Sequence, residues 1–132
     1  MLIDSHFLDT VSAQAKESDR LRMNYNIHDS LDSGCQRMLN ALEPGTSLPI
    51  HRHPHTDETY ILLRGRMDAI FCDDNGCEYE RYHLNPAEGR YGVNIPKGVW
   101  HTVEILESDT VIFETKEGPY KPIDPNDIFH NE

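Results

Sequence analysis

The sequence is poor in positive charge. Among its 132 residues, 12 are lysine or arginine and 23 are aspartate or glutamate, which gives a formal net charge of −11. Nucleic acids and anionic membranes both require a cationic surface on the proteins that bind them. The composition therefore argues against these two classes of partner, and its acidity is typical of a soluble protein.

Long apolar runs are also missing. No stretch approaches the length that crosses a bilayer, and the opening MLIDSHFLDT carries acids where a signal peptide has its basic region. We therefore expect a cytoplasmic protein. The chain is long enough for one hydrophobic core and contains no internal repeat or linker, so we expect a single domain spanning residues 1–132.

Cysteine is scarce as well. The sequence has three cysteines, an odd number, and their spacing is not that of a zinc finger: Cys35, Cys72 and Cys77. A two-residue hairpin loop at Asn75-Gly76 would place Cys72 opposite Tyr79 rather than opposite Cys77, although a bulged loop would change this register. We expect free thiols in a reducing compartment.

Short apolar segments separated by Gly, Pro, Asn and Asp turns predict an all-β domain built as an antiparallel sandwich or barrel. Before them, an amphipathic helix capped by Asp4 or Ser5 is predicted over residues 3–17, within an N-terminal helical segment of residues 1–20. A C-terminal arm of residues 118–132 follows the strands. The strands are expected at residues 21–28, 37–43, 60–63, 66–71, 77–84, 91–95, 99–106 and 110–116, the third and fourth pairing as a hairpin around Arg64-Gly65.

The stretch GTSLPIHRHPHTDETYILLRG, residues 45–65, concentrates metal-binding side chains. If the chain is extended at HRH, His51 and His53 project from one face of the strand. Glu58 follows after a short turn and can fold back toward them. Two imidazoles and a carboxylate suit a divalent transition metal, and His101 is the candidate for a fourth ligand from a distant strand. A solvated histidine-rich turn, or histidines that serve acid–base chemistry alone, are the alternatives.

At these positions the sequence resembles the cupin superfamily. The first cupin motif matches at Gly45, His51, His53, Glu58 and Gly65, and the second at Pro96, Gly98 and His101. Arg90 and Ile105 depart from the motifs, at positions that do not bind metal. The resemblance implies a double-stranded β-helix, the cupin jelly-roll barrel, with a short N-terminal helix. It also implies one divalent transition metal, Zn, Fe, Ni or Mn, on the ligands His51, His53, Glu58 and His101.

Longer blocks resemble the WbuC-type cupin fold metalloproteins. They are an Arg-x-Asn-x-Asn-x-His strand, QRMLNALEPGT at 36–46, IPKGVWH at 95–101 and FETKEGPYKP at 113–122, and they span nearly the whole chain. The resemblance implies a metal-binding cupin linked to O-antigen or other bacterial surface-polysaccharide metabolism. It does not imply a particular reaction, and it gives no role to His55.

The segment LRMNYNIH, residues 21–28, alternates between apolar and polar side chains. Its polar face consists of planar, directional groups that recognise polar ligands, namely Arg22, Asn24, Asn26 and His28. We predict that this face binds the substrate in a pocket above the metal, and an outer face turned to solvent is the alternative. The resemblance alone adds Lys116 and Tyr120 at the rim of the pocket.

These patterns predict a metal-dependent enzyme that acts on a small polar molecule, such as a sugar or sugar-nucleotide derivative. The metal would act as a Lewis acid on a carbonyl or hydroxy acid. No nucleophile–base pair is visible, so no catalytic residue is assigned. The alternatives are a non-catalytic cupin that binds or senses a sugar or small acid, and a structural cupin. Apolar surface on the helix between Ile3 and Ala15 predicts a homodimer.

Overall fold

In the computed structural model, which describes residues 1–130, one α-helix precedes eight strands. The helix α1 is Ser5–Glu17. The strands are β1 Arg22–Asn26, β2 Cys35–Leu42, β3 Glu58–Arg64, β4 Met67–Cys72, β5 Glu78–Leu84, β6 Gly92–Ile95, β7 Trp100–Ile105 and β8 Thr110–Glu117. No helix in the described residues is long and apolar enough to cross a membrane.

The helix begins where the sequence predicts, because the carboxylate of Asp4 accepts a hydrogen bond from the N–H of Phe7 at 2.9 Å. Leu8, Val11 and Ala15 are buried on one side of α1. That side packs on the outer face of the larger sheet, where it meets apolar side chains of β2 and β8, namely Leu39, Ala41 and Val111. The predicted amphipathic helix is therefore confirmed, two residues shorter at its start.

The strands form two antiparallel sheets. The larger sheet has the order β1-β2-β8-β3-β6 and the smaller the order β5-β4-β7. The main core contains residues from both sheets: Leu42, Tyr60, Leu62, Met67, Phe71, Leu84, Ile95, Ile105 and Ile112. The prediction of an all-β domain with a short N-terminal helix is confirmed.

The predicted hairpin around Arg64-Gly65 is wrong. Strand β3 pairs with β6 and β8, whereas β4 pairs with β5 and β7, so the chain leaves one sheet and enters the other at this turn. Gly65 makes the crossing with φ +93°, and a Cβ atom at this position would collide with Thr110. Only glycine adopts this conformation without strain.

The turn at Asn75-Gly76 does join two paired strands, β4 and β5, but its loop is longer than two residues. The carboxylate of Asp73 accepts hydrogen bonds from the N–H groups of Asn75 and Cys77, both at 2.9 Å. A bulge beside Cys72 shifts its partner from the expected Tyr79 to Glu78. All three cysteines are free thiols, as expected.

Along the inner face of the larger sheet, side chains change from apolar to charged. The cross-strand pairs of β3 and β8 run from Leu62 with Ile112, through Tyr60 with Glu114, to Glu58 with Lys116. Since paired residues share a face, the charged pair lies at one end of the space between the sheets. The two terminal residues of the predicted arm lie outside the described residues, and its earlier part runs along this end.

Candidate metal centre and adjoining cavities

Two of the predicted ligands, His51 and His101, face each other across a backbone bridge. The N–H of His51 donates to the carbonyl of His101 at 3.0 Å, and the N–H of His101 donates to the carbonyl of His51 at 2.8 Å. Their ring centroids lie 4.3 Å apart. On its other side, His51 forms a bridge with Ile128 of the C-terminal arm. The two motifs, far apart in sequence, meet at this point.

His53 and the buried Glu58 complete the group. The Nε2 atom of His53 lies 2.5 Å from Oε1 of Glu58, and the Nε2 atom of His101 lies 3.8 Å from the same oxygen. One donor atom from each of the four residues lies within 4.8 Å of all the others. Metal bonds of about 2.1 Å place opposite donors about 4.2 Å apart, so the four donors are spaced on the scale of one coordination sphere.

The backbone fixes which nitrogen of two histidines faces this centre. Nδ1 of His51 lies 2.9 Å from the carbonyl of Pro49, and Nδ1 of His101 lies 2.9 Å from the carbonyl of Val99. A carbonyl only accepts hydrogen bonds, so each Nδ1 carries the proton and each Nε2 presents a lone pair. This is the arrangement of histidine ligands in metal sites, where the second nitrogen donates to a fixed acceptor.

Two atoms of the group are buried without a hydrogen-bond partner, Oε1 of Glu58 and Nε2 of His101. Nε2 of His53 lies 2.5 Å from Oε1, but the two atoms do not form a hydrogen bond. Unpaired buried acceptors are costly and rare in proteins. A divalent cation between them would satisfy both, so the donor set fits a transition metal held by three imidazoles and one carboxylate.

The electrostatics of the group keep three of its donors in the protonation states that ligation requires. Burial, reinforced by His101, lowers the pKa of His51 to about 4. Burial also lowers the pKa of His101. For Glu58, burial alone raises the pKa, but the imidazole of His53 and the charge of Lys116 outweigh it and lower the pKa to about 2. At neutral pH these two imidazoles are neutral and Glu58 is ionised.

His55 does not join the four donors. Its side chain is exposed, and it lines a neighbouring cavity. Within the part of the chain that the structure describes, the group of four is His51, His53, Glu58 and His101.

Two cavities adjoin the four donors. The first, of about 320 Å³, has His51, His53 and Glu58 in its wall. It is also lined by three of the predicted substrate-binding residues, Arg22, Lys116 and Tyr120. The second, of about 360 Å³, is formed largely by the C-terminal arm and shares His53, Lys116 and Tyr120 with the first. Volumes of this size suit small-molecule ligands.

A polar group on the floor of the first cavity, formed by Glu114, Tyr60 and Asn40, was not predicted from the sequence. The Nδ2 atom of Asn40 donates to Oε1 of Glu114 at 3.3 Å. Burial, together with the nearby charge of Glu58, raises the pKa of Glu114 to about 8. Burial also raises the pKa of Tyr60 well above its usual value. The alternation of β8 places Glu114 with Ile112 and Lys116, but only the strand register shows that Glu58 shares their face.

Asn24, Asn26 and His28 are not among the described residues that line the first cavity. They lie in or just beyond β1, an edge strand that β2 and β8 separate from the ligand-bearing β3. Asn24 and Asn26 are exposed, and Asn24 donates to Oδ1 of Asn26 at 2.6 Å. His28 is buried, with its Nδ1 accepting from the N–H of Arg37 at 3.0 Å. The polar face is thus divided, and only Arg22 reaches the cavity.

Comparison with solved structures identifies the fold. KdgF from Halomonas sp. is 17% identical with a TM-score of 0.58, covering 76% of this chain and 82% of its own. A cupin-2 domain containing protein from Shewanella frigidimarina is 24% identical with a TM-score of 0.53, covering 70% of this chain and 76% of its own. These likenesses, with the two antiparallel sheets, establish the cupin jelly-roll fold.

The capsular polysaccharide assembling protein CapF from Staphylococcus aureus is 25% identical with a TM-score of 0.59, over 84% of this chain. The match covers only 29% of CapF. No curated protein matches the sequence. The model of the family described as Domain of unknown function (DUF6016) matches residues 3–84, well over half of the chain. The protein is therefore a member of the DUF6016 family and has the fold of the cupin superfamily.

Proposed function

We propose that this protein is a WbuC-type, metal-dependent enzyme that acts on a small polar molecule, such as a sugar or sugar-nucleotide derivative, in bacterial surface-polysaccharide metabolism. The observation that carries the proposal is the shared cavity, in which the metal donors His51, His53 and Glu58 lie in the same wall as Lys116 and the buried Glu114. Metal donors and an acid–base group around one ligand-sized space are the components of an active site.

In this proposal the metal, bound by His51, His53, Glu58 and His101, supplies Lewis acidity toward an oxygen of the substrate. The protein contributes a proton. Burial and Glu58 raise the pKa of Glu114 to about 8, so its carboxyl is mostly protonated at neutral pH in the metal-free protein. Asn40 donates to Oε1 of this group and fixes its orientation. A carboxyl with a pKa near the working pH is an efficient general acid or base.

Two observations support a role in polysaccharide metabolism. The sequence blocks that resemble WbuC-type proteins span nearly the whole chain, and they include the cavity residues Asn40, Glu114 and Lys116. CapF, which shares the fold over 84% of this chain, is a capsular polysaccharide assembling protein. We further propose a cytoplasmic homodimer.

The test is a turnover screen. Metal-loaded protein is incubated with a panel of sugar nucleotides and their sugars, and the products are followed by proton and phosphorus NMR. We expect conversion of at least one compound, loss of conversion in Glu114→Gln with the metal retained, and unchanged conversion in Lys97→Gln, an exposed residue outside both cavities. Saturable chemical-shift changes without turnover would indicate a binding or sensor protein and not an enzyme. A complete lack of response would favour a structural cupin.

A further inference from the structure

The first cavity has a different charge balance from the rest of the molecule. The chain carries 12 cationic side chains against 23 acidic ones. Three of those cations, Arg22, Lys116 and Lys121, line the first cavity, against only two acids, Glu58 and Glu114. A divalent ion on the donor group would add further positive charge at this place. In an acidic protein, cations gathered around one concave surface attract anions there.

Among these cations, Lys116 lies directly beside a metal donor. It pairs with Glu58 across β3 and β8, so its side chain lies on the same sheet face as the metal donors. Its side chain is only 17% exposed. The nearest carboxylate oxygen, Oε2 of Glu114, lies 3.9 Å from Nζ, which is too far for a hydrogen bond. Among residues 1–130, no acceptor forms a hydrogen bond with the ammonium group of this side chain, and its Nζ is not among the buried polar atoms.

Lys121, which is exposed, lines the same two cavities as Lys116. Lys116, Lys121 and Tyr120 line both cavities, as does His53, so these residues surround the junction of the two spaces beside the metal donors. Arg22 lies elsewhere. Its cross-strand partner is Leu42, which pairs in turn with Thr110, whereas Lys116 pairs with Gln36 and Glu58 near the other end of β8. In addition, Nη1 of Arg22 donates to the carbonyl of Ser47 at 3.1 Å.

Of the three acids that line the second cavity, Asp124 and Asp127 are already engaged, whereas Glu117 is exposed. The carboxylate of Asp127 accepts from Nε of Arg52 at 2.9 Å, and the carboxylate of Asp124 accepts from the N–H of Asn126 at 2.8 Å. An ammonium group acts as a compact charge with three donors, and both carboxylate and phosphate oxygens accept from it.

We propose that the junction of the two cavities binds the anionic group of the ligand, a carboxylate or a phosphate, on Lys116 and Lys121, beside the metal donors. The ligand is thus a small anionic polyhydroxy compound and not a neutral sugar. This inference rests on the proposed function for the ligand-binding role of the cavity, but it concerns binding and does not require turnover.

The test compares three probes on zinc-loaded protein by isothermal titration calorimetry at low ionic strength: D-glucuronate, glucose 1-phosphate and the neutral methyl glucoside. We expect at least one anion to bind about tenfold or more tightly than the neutral sugar. Lys116→Gln should remove most of that preference without changing the zinc content, Lys116→Arg should retain it in part, and the exposed Lys97→Gln should behave as the wild type. The stronger of the two anions identifies the acidic group as carboxylate or phosphate.

Three results would overturn the inference: equal or tighter binding of the neutral sugar, no binding of either anion at millimolar concentration, or equal anion preference in Lys116→Gln and Lys97→Gln. The outcomes separate the two proposals. Anion preference without conversion of any compound would remove the enzyme and leave the anion site. Conversion of a neutral sugar without anion preference would do the opposite.

Discussion

Replacing Glu114 with glutamine should make the metal-free protein more stable, and increasingly so as the pH rises. Burial and the neighbouring Glu58 raise the pKa of Glu114 from 4.5 to about 8. In the unfolded chain the carboxyl ionises above 4.5, whereas in the folded protein it stays protonated up to about 8. Because the folded state holds the proton more tightly, its contribution to stability is complete below pH 4.5 and is lost as the pH rises through 8.

The size of the effect follows from this shift. Each pKa unit corresponds to about 1.4 kcal/mol, so keeping Glu114 protonated costs the wild type about 1 kcal/mol at about pH 5 and about 4 kcal/mol at about pH 8. Glutamine is neutral at every pH, and its amide oxygen can still accept from Asn40. The stability gain of Glu114→Gln should therefore grow by about 3 kcal/mol between these two pH values.

The assay is urea denaturation of chelator-treated protein at the two pH values. Glu80→Gln serves as the control, because Glu80 is an exposed carboxyl on β5. The control should change stability by less than about 0.5 kcal/mol at both. If wild type and Glu114→Gln showed parallel pH dependence, Glu114 would not be a buried, protonated carboxyl, and its proposed role as a proton donor would fail with it.

Three further predictions concern other parts of the molecule. Burial lowers the pKa of His51 from 6.5 to about 4, so its contribution to metal-free stability is present above pH 6.5 and is lost as the pH falls toward 4. In denaturant titrations, the stability of the wild type relative to His51→Gln should therefore drop by about 2–3 kcal/mol on acidification to about pH 4.5, and a flat difference would contradict this. Gly65→Ala should reduce stability by about 2 kcal/mol or more, because Gly65 has φ +93° and a Cβ there meets Thr110. Gly34→Ala, whose Cβ would point into open space, should reduce stability by less than about 0.5 kcal/mol, and equal shifts in the melting temperature would refute the explanation. Sedimentation at micromolar concentration should give a dimer, and a 15.2 kDa species alone would exclude it.

The four candidate ligands could be predicted because their positions follow from local rules. Alternation along an extended strand places His51 and His53 on one side, and the motif spacing connects them with Glu58 and His101. How the two motifs meet cannot be predicted from the sequence. They meet through the backbone bridge between His51 and His101, with Ile128 of the arm on the other side of His51.

The features that could not be predicted from the sequence depend on the order of the strands. Two strands joined by Arg64-Gly65 look like a hairpin, because a glycine turn reads the same whether the strands pair or enter different sheets. The polar face of β1 looks like a binding surface, but β1 is at the edge of the sheet, so Asn24 and Asn26 are exposed. Glu114 becomes notable only when the register of β3 and β8 places it between Glu58 and the core.

Metal content tests the candidate centre most directly. Protein purified without chelator and reloaded with zinc, iron, nickel or manganese is analysed for bound metal by mass spectrometry of the elements, beside His51→Gln, His101→Gln and the control Glu80→Gln. We predict about one equivalent per chain in the wild type and the control, and a similar loss in both histidine variants, because their Nε2 atoms face the same centre from the two halves of the site. A wild type that takes up none of the four metals, or histidine variants that bind as the wild type does, would contradict the metal centre.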